Sequence, residues 1–104
     1  MAENQIIETI KSTSHEYLPD AEVLLFGSRA RKEENSDSDY DIFLVTKTNL
    51  TPKEKLTLRT KIRKALLSFG IRSDILIQSE SEVAKKKKLP GHVVSRILRE
   101  AILL

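Results

Sequence analysis

The chain has 104 residues, 39% of them hydrophobic and 32% charged, with a net charge of +3, the profile of one folded domain over residues 1–104 rather than of a disordered segment. It contains no cysteine, which excludes a disulfide framework, a thiolate zinc site and a cysteine nucleophile. No apolar run approaches the roughly 20 residues of a membrane span, and the first ten residues lack a basic segment leading into an apolar one, so the expectation is a cytoplasmic protein without membrane attachment.

In chain order, residues 3 to 17 read as a helix, with Ile6, Ile7 and Ile10 on one face and a stop near Pro19. Residues 21 to 26 are a short apolar run ended by Gly27 and read as a strand. Residues 28 to 32 suit one helical turn opening at Ser28. Residues 39 to 46 are β-branched and aromatic and read as a central strand. Thr51 caps a helix that Pro52 begins and Gly70 ends, with a stripe of Leu56, Leu58, Ile62, Ala65, Leu66 and Phe69. A third strand spans 71 to 78, and a short basic helix spans 80 to 88, including the run Lys85 to Lys88. Residues 92 to 104 read as a last helix after Pro90 and Gly91. This order predicts a small α/β (α+β) layer, with helices packed mainly on one face of a short sheet. Strand order does not follow from the pattern.

The charge is unevenly spread. Glu33, Glu34, Asp37, Asp39 and Asp41 are five of the 15 acidic residues. Alternate side chains of a strand share a face, so Asp39 and Asp41 point the same way, roughly 7 Å apart. Like charges so placed oppose folding unless a cation joins them. With no cysteine or histidine nearby, hard carboxylate oxygens select Mg²⁺ or Mn²⁺ rather than zinc. Asp74 stands in an otherwise apolar strand, where a carboxylate is disfavoured. If that strand neighbours the first, Asp74 completes a three-carboxylate cluster suited to phosphoryl or nucleotidyl transfer with two metal ions.

Gly27-Ser28 supplies a second half. Gly27 can take backbone angles closed to other residues, and the free N–H groups of the turn at Ser28 can receive an anion. Arg29 and Arg31 lie on the next turn, where they can neutralise phosphate charge. Singly, these features also read as a plain turn, a solvated edge and a salt-bridged carboxylate. Their order and spacing make the combination specific.

Gly27-Ser28, ten residues, then Asp39-Tyr40-Asp41 resembles the GS-x10-DxD signature of the minimal nucleotidyltransferases, the smallest members of the DNA polymerase β-like nucleotidyltransferase superfamily. The resemblance runs along almost the whole chain, through "FGSRAR", "SDSDYDIFLV", "RSDILI" and "SRILREAILL". It selects Asp39 and Asp41 as the pair and leaves Asp37 in a loop. One departure is Lys32, where family members often carry glycine. The resemblance implies a palm-like mixed sheet of the nucleotidyltransferase fold, two Mg²⁺ ions held by Asp39, Asp41 and Asp74, and a nucleoside triphosphate, most often ATP. Gly27, Ser28, Arg29 and Arg31 would hold its phosphates.

The resemblance also implies a partner. Many such proteins act as antitoxins of small helical HEPN-domain toxins and transfer AMP to a tyrosine of the toxin. The alternative expectation is a catalytically weak module that neutralises its partner by covering it. Nucleic-acid binding by the lysines is disfavoured by two Tyr, three Phe and no Trp. In the closing helix, Ile97, Ala101 and Leu104 form one stripe and Val94, Leu98 and Ile102 another. Together they are wider than one buried face of a small domain needs, so the helix is expected to carry a partner interface or a self-association surface, the alternative being a helix packed into a deep groove.

Overall fold

The computed structural model describes residues 1–31 and 38–104. Lys32, read as the end of the helical turn over 28 to 32, and Asp37, read as part of a loop, lie outside the described residues.

Four strands form one mixed sheet in the order β3-β2-β1-β4. Helix α1, Glu3–Tyr17, leads into β1, Glu22–Phe26, and the single-turn α2, Gly27–Ala30, follows at once. Strand β2, Tyr40–Thr46, returns antiparallel to β1. Helix α3, Pro52–Ser68, carries the chain over the sheet, so that β3, Ser73–Ser79, runs parallel to β2. A parallel neighbour needs such a crossover. Short helices α4, Glu80–Lys86, and α5, Val93–Glu100, precede β4, Ile102–Leu103.

Alternation along the strands sorts the core. Val23, Leu25, Ile42, Leu44, Ile75 and Ile77 share one face, where they meet Ile10 of α1 and Ile62 and Leu66 of α3. Phe43 and Val45 look the other way and meet Val94 and Ile97 of α5. The two long helices therefore share one face, as expected, while α4 and α5 cover the opposite one.

Helix α3 starts where its sequence directs. Thr51 Oγ1 accepts from Glu54 N at 3.1 Å, and Glu54 Oε1 accepts from Thr51 N at 2.9 Å, a reciprocal cap. Thr51→Ala should cost about 1 kcal/mol, read by thermal melting as a fall in Tm of about 4–8 °C. Two members of the expected α3 stripe stay in water: Leu56 is 54% and Phe69 55% exposed. They flank the core-facing rows of Ile62 and Leu66 without reaching the sheet.

The expected last helix over 92–104 is corrected. The helix ends at Glu100, and Ala101 takes extended backbone angles (φ −68°, ψ 146°). Leu103 then pairs with Leu24 and Ile102 with Leu25, and Leu104 N donates to Val23 O at 2.9 Å. The free edge of β1 supplies these bonds, and an unpaired edge readily recruits a further strand. The two helical stripes are broken accordingly. Val94 and Ile97 are buried in the chain's own core, and Leu98 packs partly against it. The helix therefore presents no continuous apolar face for a partner.

Candidate active site

β2 sets the first carboxylates. Asp41 is on the strand face of Phe43 and Val45, and Asp39 just precedes the strand with the same parity. The β2–β3 register places Asp74 directly beside Asp41. Paired residues of parallel strands project to the same side, so Asp41 and Asp74 belong to one face of the sheet, while Asp39 stands just outside the strand and meets Arg72.

These carboxylates differ in surroundings. Asp41 is half-buried, whereas Asp39 and Asp74 are exposed. Burial raises the Asp41 pKa above its ordinary value, and the charges of Asp74 and Asp39 raise it further; Arg31 opposes them. Asp39 Oδ1 lies 3.4 Å from Arg72 Nε in a half-exposed ion pair, the kind worth little in water.

Gly27 closes the other side of Asp41. Its φ is +74°, and a Cβ there would collide with Asp41 Oδ2 and stand 2.9 Å from Asp41 Cγ. Only glycine combines that backbone angle with that approach. The strand-to-helix turn thus brings the backbone against the carboxylate, and Ser28 follows, half-buried, in α2.

Glu100 was missed by sequence reading. Its Oε1 accepts from Gly27 N at 3.4 Å, and its Oε2 lies 3.0 Å from Arg31 Nη1. The hydrogen bond from Arg31, helped by that of Gly27, holds the Glu100 carboxyl below its ordinary range. A carboxylate thus sits on the N–H and guanidinium that sequence assigns to phosphate. No local signal marks Glu100, because 73 residues separate it from Gly27.

Arg29 requires a correction. Its guanidinium stacks over the Tyr40 ring, 4.3 Å from the centroid, and donates to Ser38 O at 2.8 Å. Tyr40 faces α1 and α3, so Arg29 points to the side of the sheet opposite Asp41. Cation–π stacking and a carbonyl hold it there, and it braces α2 against the entry to β2. The structure gathers Gly27, Arg31, Asp41 and Glu100 in one place and leaves Arg29 out.

The donor set suits a hard divalent cation. It offers carboxylate oxygens without sulfur, and the crowding of Asp41 by Asp74 and Asp39 is a repulsion that positive charge would relieve. Among the described residues no three acidic or imidazole side chains stand clustered as a ready-made metal site, and Asp39 is turned to Arg72.

The model of the family described as the nucleotidyltransferase domain matches residues 5–104. The chain belongs to the nucleotidyltransferase domain family. No curated protein matches it. Among solved structures it is similar to a protein described as a minimal nucleotidyltransferase, at 28% identity and a TM-score of 0.58, over 93% of this chain and 87% of that one. It is also similar to a chain of a toxin–antitoxin crystal structure with AMP-PNP, at 19% identity and a TM-score of 0.56, over 99% and 72%. A third likeness is to a chain of the tri-AMPylated Shewanella oneidensis HEPN toxin in complex with MNT antitoxin, at 15% identity and a TM-score of 0.50, over 96% and 66%. At the last two identities the likeness is one of fold. The four-stranded mixed sheet of this nucleotidyltransferase domain is the expected mixed α/β architecture. No helix among the described residues is long and apolar enough to cross a membrane.

Proposed function

We infer that this nucleotidyltransferase transfers AMP from ATP to a hydroxyl of a partner protein, the expected partner being a small helical HEPN-type toxin and the acceptor one of its tyrosines. The observation that carries this reading is Asp41: half-buried, crowded by Asp39 and Asp74, and pressed against a positive-φ glycine. Such a carboxylate is unfavourable in an idle strand and suited to a site that works with a cation and a triphosphate.

In this reading Asp39, Asp41 and Asp74 would hold Mg²⁺, or Mn²⁺ in its place. When bound, the ions supply positive charge against the triphosphate and the leaving oxygen. The turn after Gly27, Ser28 and Arg31 receives the phosphates, with Arg31 contributing a charged donor. Arg29 acts only by positioning α2. Asp74, at the exposed edge of the sheet, takes the proton of the acceptor hydroxyl. The acceptor oxygen bonds to the α-phosphorus, the bond from that phosphorus to the α–β bridging oxygen breaks, and its electron pair leaves with pyrophosphate.

Glu100 competes with the phosphates for Gly27 N–H and Arg31. Glu100→Gln should therefore bind ATP severalfold more tightly, measured by calorimetry in Mg²⁺. It should also lose a contribution to stability that is present above the ordinary glutamate range and disappears as pH falls, because the folded pKa is lowered. Unchanged or weaker ATP binding would place the phosphates elsewhere.

The reaction is tested by incubating the protein, Mg²⁺ and α-labelled ATP with a purified HEPN-type partner. The partner should become labelled, and its variants with phenylalanine for the acceptor tyrosine should not. A stable complex without label would make the chain a neutralising module instead.

A further inference from the structure

Among the described residues no strand pairs with the outer edge of β3, and a groove runs along it. Leu56, Arg59, Arg63 and Leu67 recur along one side of α3 at helical spacing. Between this row and the sheet edge lie two adjoining cavities of about 210 and 380 Å³, with Arg63 lining both. Asp74 borders the first cavity and Asp39 the second, so the groove runs past two of the three carboxylates.

Its chemistry is distinctive. Leu56 and Leu67 are 54% and 56% exposed. Arg59, Arg63 and Lys64 lie between them, and no ion pair among the described residues engages these three. Eleven helical residues separate the two leucines, about 16 Å at 1.5 Å per residue. An extended polypeptide covers that length in about five residues.

We propose that this groove seats the acceptor as an extended acidic segment, with two apolar side chains on the same face, about four or six positions apart, over Leu56 and Leu67. The proposal rests on the nucleotidyl-transfer reading and names the acceptor's chemistry. Acidic side chains between the anchors meet Arg59, Arg63 and Lys64. The segment runs along the outer edge of β3, where an added strand finds backbone partners. A hydroxyl on it then passes Asp74 at the sheet edge. RNA fits less well: a phosphodiester chain leaves both leucines uncovered, and none of the lining residues is aromatic.

The probe is a fluorescein-labelled dodecapeptide with two leucines about six positions apart, an even spacing that puts both on one face, glutamate and aspartate around them, and one tyrosine. Fluorescence anisotropy should show saturable binding to the full chain. The double variant Arg59→Glu/Arg63→Glu should weaken it about tenfold, and added salt should weaken it for the wild type. Leu56→Ser/Leu67→Ser should weaken it as well, and circular dichroism checks that each variant is folded. A peptide with glutamine for every acid should bind weakly. Equal affinity for that neutral peptide, equal affinity of the charge-reversed variant, no binding at all, or tighter binding of a twelve-nucleotide uridylate would overturn the proposal. Calorimetry with MgATP separates the two readings. Both variants should bind MgATP as the wild type does. Charge-dependent peptide binding without AMP transfer to the tyrosine would leave the groove standing and remove the transferase reading.

Discussion

Asp41→Asn should abolish nucleotidyl transfer while making the metal-free protein more stable at neutral pH. Loss of one preorganised charged group at a transfer site lowers kcat by about 10³-fold, or roughly 4 kcal/mol. The stability effect has the opposite sign. Burial and the charges of Asp74, Asp39 and Glu100 raise the folded pKa of Asp41 above its ordinary 3.8, with Arg31 alone lowering it. Between the ordinary and the raised value the folded chain binds more protons than the unfolded one. Stability therefore falls as pH rises through that window, and the full penalty is present at pH 7. An amide carries no such penalty. Thermal melts without metal should place Asp41→Asn above the wild type at pH 7, with the gap closing below the ordinary aspartate value. Added Mg²⁺ should raise the wild-type Tm and leave the variant unmoved. Wild-type transfer by Asp41→Asn in Mg²⁺ would remove the carboxylate from the site.

Gly27→Val should damage both fold and site. A φ of +74° costs a branched L-residue about 1–2 kcal/mol. Its Cβ also lands on Asp41 Oδ2, so either the turn or the carboxylate must move. The total expected loss is about 2–4 kcal/mol, since close packing adds to the backbone strain. Denaturant melts measure the loss, and calorimetry should show weakened ATP binding in the fraction that folds. Gly27→Ala should lie between. Wild-type ATP affinity in either variant would mean that the turn does not hold phosphate.

The central features of the site could be read from local pattern. Asp39 and Asp41 alternate at a strand start, so a common face is the expectation from strand geometry alone, although only Asp41 lies within β2. Asp74 stands out as an acid in "SDILI", although only the β2–β3 register sets it beside Asp41. Gly27 could be singled out as the end of an apolar run, but its contact with Asp41 depends on β1 and β2 pairing antiparallel.

Elsewhere, tertiary contacts overruled local signals. "SRILREAILL" keeps a helical rhythm and has no glycine or proline to stop it. Strand β4 forms because the edge of β1 stands free nearby, and no local residue announces that edge. Arg29 and Arg31 look equivalent in sequence, yet Tyr40 draws one to the far side of the sheet and Glu100 holds the other at Gly27. Leu56 and Phe69 continue an apolar rhythm that the sheet is too narrow to cover.

The most direct measurement follows the two ends of the triphosphate. In parallel reactions with Mg²⁺ and the acceptor partner, ATP carries its label on the α- or on the γ-phosphate. Nucleotidyl transfer at these carboxylates predicts that only the α-label enters protein, that the γ-label leaves in pyrophosphate, and that Asp41→Asn removes the protein label. A γ-label on protein, or an α-label that survives Asp41→Asn, would contradict it.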